Sequence, residues 1–354
     1  MQAEAARSDE AVDSSARELR FRVSDPHHEL AAVRFVSDGT KRRPPEFRRR
    51  GERWELWLPE PSLGRLEYLL ELESGDGSRA LVPDPANPLR AAGPFGDRSV
   101  VELDGYRQPD WLGSEAPQGG LEQLRLTSRL LRAEIEGLLW HPAGRARDEP
   151  LPLLVALDGP EYAQYSALTR YLDVATARGE LPPVRAALLA PVDRNETYAA
   201  SARHSSAFAR DLIPALRERV PTTELVGMGA SLGALASLHV HRARQETFAG
   251  LFLQSGSFFQ RRLDRDERDF ARFERIVRFV GRVLSCEAWE HPVPVTITCG
   301  TGEENLLNNR ELAVALDRQG YPVELVEHRD AHNWVAWRDV LDPHLARLVA
   351  RAVG

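Results

Sequence analysis

The sequence contains little cysteine, and this scarcity excludes several kinds of site. Only two of the 354 residues are cysteines, Cys286 and Cys299. Their spacing matches no zinc-binding pattern, so no metal site is predicted. Cys299 stands in an apolar, strand-like run, where a buried free thiol is expected, and free thiols are typical of the reducing cytoplasm. The sequence therefore predicts a cytoplasmic protein without a metal or another cofactor.

Long apolar runs and an excess of positive charge are also missing. No run of about 18 apolar residues occurs, so no segment is predicted to span a bilayer. Residues 1–16 are polar and acidic without the apolar centre of a secretory signal, and we interpret them as a disordered tail. The net charge of −7 argues against nucleic acid or an anionic membrane as the main partner. A small-molecule partner is expected, and a homodimer is compatible with the sequence.

Residues 17–108 have the pattern of a small β-sandwich. Short alternating or apolar runs are separated by turns rich in glycine, aspartate, proline and serine. The predicted strands are 19–23, 31–36, 54–58, 66–72 and 99–103. Trp54 and Trp57 are predicted to share one face of their strand, in the core or at a domain interface. The basic segment 41–50 is interpreted as a solvated loop between strands.

A linker rich in proline, glycine and glutamine, 109–120, leads into a second domain, 121–354. Strands alternate with helices here, which indicates a mostly parallel sheet with helices on both faces. The predicted strands are 151–157, 184–190, 224–228, 248–255, 293–300 and 322–328. The main predicted helices are 208–220, interrupted near Pro214, then 261–284 as an exposed connection, and 308–318. The order is that of a doubly wound α/β-hydrolase.

The second domain is organised around the motif Gly229-Ala-Ser231-Leu-Gly233. A short apolar strand leads into the motif and a helix of small residues follows it, which is the build of a nucleophile elbow. Such a turn forces Ser231 into a strained backbone conformation. Glycine at the two flanking positions removes collisions with the neighbouring strand and helix. Ser231 is therefore the predicted nucleophile.

A serine hydroxyl needs a base to take its proton and a third group to orient that base. In this fold the acid follows the nucleophile along the chain, and the histidine comes last. His332, just past the last predicted strand, is the predicted base; the alternative is a loop histidine that bonds locally. Glu303 and Glu304 follow the late strand, and either could orient His332. The alternative for both is a role as acids at a helix N-terminus.

Together these motifs resemble the enterochelin esterase branch of the esterase D-like α/β-hydrolases. The resemblance extends over nearly the whole chain from about residue 20, including an early-set, immunoglobulin-like module at the front. It implies Ser231 as nucleophile, His332 as base and Glu303 as acid, with Glu304 as the fallback. The segments that carry it are 54–56, 84–88, 106–111, 158–162, 193–198, 229–233, 299–303 and 331–338.

One departure from the family concerns the oxyanion hole. In relatives the residue after the Asp-Gly turn donates a backbone N–H to the oxyanion, whereas here that residue is Pro160, which has none. The Leu232 N–H, just after the nucleophile, is predicted to be one donor. The second is predicted to come from Gly159 or Glu161. Loss of one donor costs about 3–4 kcal/mol of transition-state stabilisation, so the sequence predicts a slow enzyme.

A second departure concerns substrate binding. Arg194 and Glu196 match the family's Arg-x-x-Glu element only loosely. Arg194 is therefore predicted either to bind an anionic or carbonyl-rich acyl group, or to form a structural salt bridge with Asp193 or Glu196. Tyr162 and Trp334, together with Trp337, are predicted either to wall the substrate pocket or to pack in the core.

The function predicted from these residues is hydrolysis of a carboxylic ester through an acyl-enzyme. The resemblance implies a siderophore trilactone as substrate. One alternative is an acyltransferase that uses the same triad, with an alcohol replacing water in deacylation. Another is a carbohydrate-binding protein whose hydrolase domain is degenerate, a hypothesis that only Pro160 favours.

Overall fold

The computed structural model describes residues 4–6, 18–40, 43–244 and 247–354. The chain divides into two compact units. The first contains the residues up to 107 together with Thr301–Glu303 and Arg329–His332, and the second contains the rest. Most of the predicted tail, residues 1–16, lies outside the described residues. Residues 4–6 of that segment form a short strand instead of a tail.

Two antiparallel sheets form the first unit, in agreement with the predicted all-β module. Among the described residues its strands are β1 (Glu4–Ala6), β2 (Glu18–Ser24), β3 (Leu30–Ser37), β4 (Arg48–Arg50), β5 (Arg53–Pro59), β6 (Arg65–Ser74), β7 (Arg79–Val82), β8 (Arg90–Ala91) and β9 (Arg98–Glu102). One sheet has the order β1-β2-β5-β4 and the other β3-β6-β9-β8, with β7 also paired to β6. Phe21 from the first sheet meets Phe35 and Tyr68 from the second, with ring centroids 4.8 and 5.2 Å away. The sheets therefore share an aromatic core.

Two predictions in this unit are wrong. Trp54 is buried, with 7% exposure, and its indole donates to Asp25, whereas Trp57 is 37% exposed beneath the guanidinium of Arg20. The two tryptophans are three residues apart, an odd spacing that places them on opposite faces of a strand. The predicted loop 41–50 includes strand β4, which pairs with β5. Lys41 and Arg42 of that loop lie outside the described residues.

An eight-stranded sheet forms the centre of the second unit. Its strands are β10 (Gly120–Ser128), β11 (Ala133–His141), β12 (Leu151–Leu157), β13 (Arg185–Leu189), β14 (Thr222–Ala230), β15 (Gly250–Gln254), β16 (Val295–Gly300) and β17 (Val323–His328). Their order is β10-β11-β13-β12-β14-β15-β16-β17. The first three strands in this order pair antiparallel, and all later pairs are parallel. The carboxyl ends of β12 and β14 to β17 consequently lie at one edge.

Helices cover both faces of this sheet. They are α1 (Gly159–Tyr165), α2 (Leu168–Ala177), α3 (Arg194–Thr197), α4 (Ala202–Ala207), α5 (Ile213–Arg219), α6 (Leu232–Ala243), α7 (Phe273–Ser285), α8 (Leu306–Arg318), α9 (Trp334–Asp339) and α10 (His344–Val353). Alternate residues of β12 belong to different cores. Val155 packs in the core that includes residues of α6, α7 and α8, and Leu154 packs in the core that includes residues of α1, α2 and α10. This confirms the predicted α/β class.

Several sequence predictions differ from the structure in extent. The predicted helix 208–220 continues α4 through a π-helical turn, Phe208–Leu212, before α5, whose first turn contains Pro214. The predicted helical stretch 261–284 is α-helical only from Phe273, where α7 begins, and a short 3-10 helix, Arg265–Glu267, precedes it. Cys299 is buried in β16, as predicted. Among the helices that the structure describes, none combines the length and the apolar character needed to cross a membrane.

The two tryptophans of β5 give a matched pair for a stability measurement. We expect Trp54→Ala to lower the free energy of unfolding by about 3–5 kcal/mol, because it empties a buried site. Trp57→Ala should lower it by less than about 1 kcal/mol, since Trp57 lies on the exposed face of the strand. Urea denaturation of both variants measures the difference, and equal losses would contradict the assignment of Trp54 alone to the core.

Candidate active site

Ser231 occupies the sharp turn between β14 and α6. Its backbone angles are φ 54° and ψ −120°, a conformation that is rare for a residue with a side chain. Hydrogen bonds hold it on both sides: its N–H donates to the Gln254 carbonyl (2.9 Å), and its carbonyl accepts from the N–H groups of Ser257 (3.1 Å) and Leu235 (3.2 Å). The structure thus has the strained nucleophile turn that the motif predicts.

The flanking glycines allow the strand and the helix to approach closely. A β-carbon at Gly229 would lie 2.4 Å from the carbonyl carbon of Gly233, a backbone atom that has no room to move. A β-carbon at Gly233 would lie 3.3 Å from an Asp158 carboxylate oxygen. The predicted collision is confirmed at Gly229, whereas a β-carbon at Gly233 would make only a tight contact with a side chain.

Three neighbouring strands end at this edge in a left-handed residue other than glycine. Asp158 after β12 has φ 56°, Ser231 after β14 has φ 54°, and Ser255 after β15 has φ 48°. Each reverses the chain direction at the carboxyl end of its strand. Unusual backbone conformations are therefore concentrated at the edge where Ser231 lies.

Ser257 is a polar neighbour of the nucleophile that the sequence analysis missed. Its Oγ lies 3.0 Å from Ser231 Oγ, and the residue is buried. The signal that could have revealed it is the run of small residues Ser255-Gly-Ser257, which follows directly after a strand next to the nucleophile strand.

Amide side chains at the start of α8 hold the loop that carries Ser257. The Gly256 N–H donates to Asn309 Oδ1 (2.9 Å), and Asn305 Nδ2 donates to the Ser255 carbonyl (2.8 Å). Asn308 Nδ2 donates to the carbonyl of Phe258 (3.0 Å). These bonds fix both ends of the loop, so the position of Ser257 is set by the protein framework.

His332 and Glu303 form a hydrogen-bonded pair. Nδ1 of His332 lies 2.7 Å from a carboxylate oxygen of Glu303, whose side chain is 0% exposed against 34% for the histidine. A carboxylate only accepts, so the imidazole donates through Nδ1 and its basic nitrogen in the neutral form is Nε2. Glu304 has an exposed position on the surface. Of the two predicted acids, the structure pairs Glu303 with His332.

The loops that carry this pair are anchored within the first unit. The Gly64 N–H donates to the Arg329 carbonyl (2.5 Å), and the Gly302 N–H donates to the Asp330 carbonyl (3.0 Å). The Asp330 carboxylate lies 3.6 Å from the guanidinium of Arg65, a buried side chain that also pairs with Glu67 at 3.0 Å. Burial raises the pKa of Glu67, and Arg65 offsets part of this rise. The turn at the start of β6 thus contacts the loop that carries His332, and the Gly302–Asp330 bond joins that loop to the one that carries Glu303.

The predicted oxyanion donors lie at the starts of two helices. Leu232 is the first residue of α6, so its N–H has no acceptor within the helix. Gly159 and Pro160 begin α1, where a missing N–H is tolerated. Glu161 is partly buried: burial raises the pKa of its carboxyl group, and a bond from its own backbone N–H opposes the rise. Gly159 and Glu161 both carry an N–H in the first turn of α1, so both remain candidates for the second donor.

Arg194 forms a salt bridge, but with a partner that the sequence analysis did not consider. Its Nε lies 2.9 Å from one Asp158 carboxylate oxygen, and its terminal nitrogen lies 2.8 Å from the other. Asp193 instead caps α3, and Glu196 pairs with Arg275 at 2.7 Å. Arg194 nevertheless keeps 37% of its side chain exposed, so it can still meet a ligand.

The aromatic residues predicted to wall a pocket have different surroundings. Tyr162 is fully buried, and its hydroxyl donates to Gln254 Oε1 at 2.8 Å. This position supports the alternative of core packing for Tyr162. Trp337 is also buried, and its indole donates to Ser255 Oγ at 2.8 Å. Trp334 is partly exposed and packs edge-on against both, so it alone of the three remains a candidate for contact with substrate.

Comparison with known proteins identifies the family. The model of the family described as Putative esterase matches residues 128–348. The chain belongs to this esterase family. Curated relatives include an iron(III) enterobactin esterase of Escherichia coli O6:H1, 29% identical over 201 residues (53% of this chain and 50% of that protein). Another, from Dickeya dadantii, is 28% identical over 215 residues (56% of this chain and 48% of that protein).

Solved structures share the fold of this esterase-family chain along most of its length. The enterobactin esterase of Shigella flexneri superposes with a TM-score of 0.75 at 20% identity, covering 96% of this chain and 94% of that one. The ferric enterobactin esterase of Salmonella typhimurium superposes with a TM-score of 0.76 at 20% identity, covering 94% and 93%. The chain spans about half the length of the curated relatives it matches in sequence. The family and the fold predicted from the motifs are thus confirmed.

The elbow geometry predicts a large effect of one methyl group. We expect Gly229→Ala to lower the free energy of unfolding by more than about 4 kcal/mol, because the added carbon would overlap the backbone of Gly233. Gly281→Ala in α7 is a matched control, since a β-carbon there meets nothing within 4 Å, and it should raise stability by about 0.5–1 kcal/mol. Thermal and denaturant unfolding measure the stability of both variants. A small loss of stability in Gly229→Ala would contradict the predicted overlap with the backbone of Gly233.

Proposed function

We propose that this protein is a serine carboxylic-ester hydrolase that works through an acyl-enzyme. The observation that carries the proposal is a serine in a strained strand-to-helix turn, combined with a histidine held by a fully buried carboxylate. Ser231 follows β14, Glu303 follows β16 and His332 follows β17, and these parallel strands end at one edge of the sheet. This is the chain order of the catalytic residues in α/β-hydrolases.

Each residue has a distinct role in the proposed mechanism. Ser231 Oγ attacks the ester carbonyl carbon while His332 Nε2 takes its proton. Glu303 keeps the proton on Nδ1 and stabilises the imidazolium that forms. The imidazolium then protonates the leaving alcohol, and an acyl-enzyme remains. Water, activated by His332, hydrolyses the acyl-enzyme by the reverse sequence of proton transfers.

In the proposed oxyanion hole one donor is strong and the second is weak. The Leu232 N–H lies at the start of a helix of twelve residues, whose positive dipole end favours a developing negative charge. Gly159 or Glu161 is the proposed second donor, because Pro160 between them has no N–H. We therefore expect turnover below that of relatives in which a residue with an N–H follows the Asp-Gly turn.

The proposed substrate is a small ester with an anionic or carbonyl-rich acyl part. Curated relatives are named iron(III) enterobactin esterases, and this supports a catechol-bearing siderophore trilactone as the first substrate class to test. Arg194 would meet such a group through the part of its side chain that stays exposed beside Asp158. Trp334 would contact the substrate at its partly exposed face. The small number of cysteines supports a cytoplasmic location.

The nucleophile assignment is tested by hydrolysis of p-nitrophenyl acetate and of a catecholate trilactone. We expect Ser231→Ala to lower the rate by about a thousandfold or more, since removal of the nucleophile ends covalent catalysis. A folded wild type that hydrolyses neither substrate faster than Ser231→Ala would reject the hydrolase proposal. In that case binding of saccharides to the protein should be measured next.

The oxyanion argument predicts a gain of activity. Pro160→Ala restores an N–H at the position where relatives supply a donor, and we expect kcat to rise by about tenfold or more. Pro214→Ala, an exposed proline in the first turn of α5, is the matched control and should leave kcat unchanged. Steady-state kinetics on p-nitrophenyl acetate measure kcat for both variants and for the wild type. An unchanged kcat in Pro160→Ala would mean that the position supplies no donor.

A further inference from the structure

We propose that Ser257 is a positioning residue for the nucleophile. In this proposal its hydroxyl donates a hydrogen bond to Ser231 Oγ and holds that oxygen so that the Ser231 proton is directed to the base. The inference rests on the proposed function, because it assigns a role in the same reaction. It begins from the 3.0 Å separation of the two hydroxyl oxygens.

The direction of this hydrogen bond follows from the number of protons available. Each serine hydroxyl has one proton to donate and two lone pairs that accept. For His332 to act as the base, Ser231 must give it its only proton. The bond between the two serines must then be donated by Ser257. One lone pair of Ser231 Oγ is thereby occupied, and the other is left for attack on the carbonyl carbon.

The position of Ser257 is fixed by its own loop as well as by the asparagine side chains. Its backbone N–H donates to the carbonyl of Ser231 at 3.1 Å, so the two residues are joined through both backbone and side chain. Gly256 precedes it at a site where a β-carbon would lie 2.0 Å from the ring of Phe258. Ser257 is only 5% exposed, so bulk water competes little for its hydroxyl.

The sheet order separates this role from that of the oxyanion donors. Strand β14, which leads to Ser231, lies between β12 and β15. Gly159 follows β12 and Ser257 follows β15, so they approach the nucleophile from opposite sides. Ser257 therefore acts on the attacking oxygen, while the donors near Gly159 act on the carbonyl oxygen of the substrate.

The hydrogen bond strengthens as the reaction proceeds. When the bond from Oγ to the carbonyl carbon forms and the proton moves to His332, Oγ passes through a state with partial negative charge. A hydrogen bond to a charged acceptor is about twice as strong as a neutral one. The same donor assists when the bond from Oγ to the acyl carbon breaks in deacylation. Ser257 keeps its own proton throughout, so it contributes to kcat and not to substrate binding.

Ser257→Ala removes the donor and only one oxygen atom. We expect kcat on p-nitrophenyl acetate to fall by about tenfold to a hundredfold, the range for loss of a hydrogen bond to a charged group, with KM unchanged. Reaction with a fluorophosphonate, in which Ser231 Oγ binds phosphorus and fluoride leaves, should slow by a similar factor. The control is Ser237→Ala in α6, a buried serine that donates to the Met228 carbonyl and should keep wild-type rates.

The outcomes separate the role of Ser257 from the proposed function. If Ser257→Ala matches Ser237→Ala in both rates, or exceeds it, the donor role is rejected; a faster variant would mean that Ser231 donates to Ser257 in the free enzyme. A loss confined to KM or to unfolding stability would indicate a merely structural role and also reject it. If the wild type reacts with neither reagent, the proposed function itself fails.

Discussion

The arrangement of the second unit depends on the close approach between Gly229 and Gly233. Because the carbonyl carbon of Gly233 occupies the space where a β-carbon of residue 229 would lie, α6 can begin directly where β14 ends. Ser231 is thereby placed at the helix N-terminus in a backbone conformation that few residues adopt. The loops after β12 and β15, on the two sides of β14, are then the only parallel neighbours that reach it from within the sheet. This steric constraint thus determines where Ser231 stands relative to the two strands on either side of β14.

The features that could be predicted from the sequence are those that depend on local sequence patterns. Alternation of strands and helices, the glycines of the elbow and the order of serine, acid and histidine depend on short stretches of chain. The Ser231–Ser257 pair was not predictable, because it joins two neighbouring strands, and no spacing rule specifies which residue of one loop meets the next. The partner of Arg194 was missed for the same reason, since Asp158 lies at the end of another strand. The error at Trp57 has a different cause: its spacing of three residues from Trp54 is visible in the sequence, and in a strand this odd spacing places the two side chains on opposite faces.

The first unit includes more than the β-sheets that the sequence assigns to it. Segments Thr301–Glu303 and Arg329–His332 belong to it. The turn that contains Gly64 and Arg65 binds the second segment through backbone and charged groups, and the Gly302 N–H joins the first segment to the second. The acid and the base of the proposed triad therefore depend on residues about 240 to 270 positions earlier in the chain. In the proposed mechanism the β-rich module would thus support the acid and the base, a role that does not require it to bind a ligand of its own.

The left-handed residues at three strand ends also bear on how the protein can evolve. Asp158, Ser231 and Ser255 each hold a backbone conformation that costs about 1–3 kcal/mol. The sum is a large part of the roughly 5–15 kcal/mol by which a folded domain is stable. Selection for heat resistance would therefore favour relaxing this edge, whereas selection for turnover would preserve it. Packing in the rest of the domain must therefore contribute enough folding free energy to offset the strain at this edge.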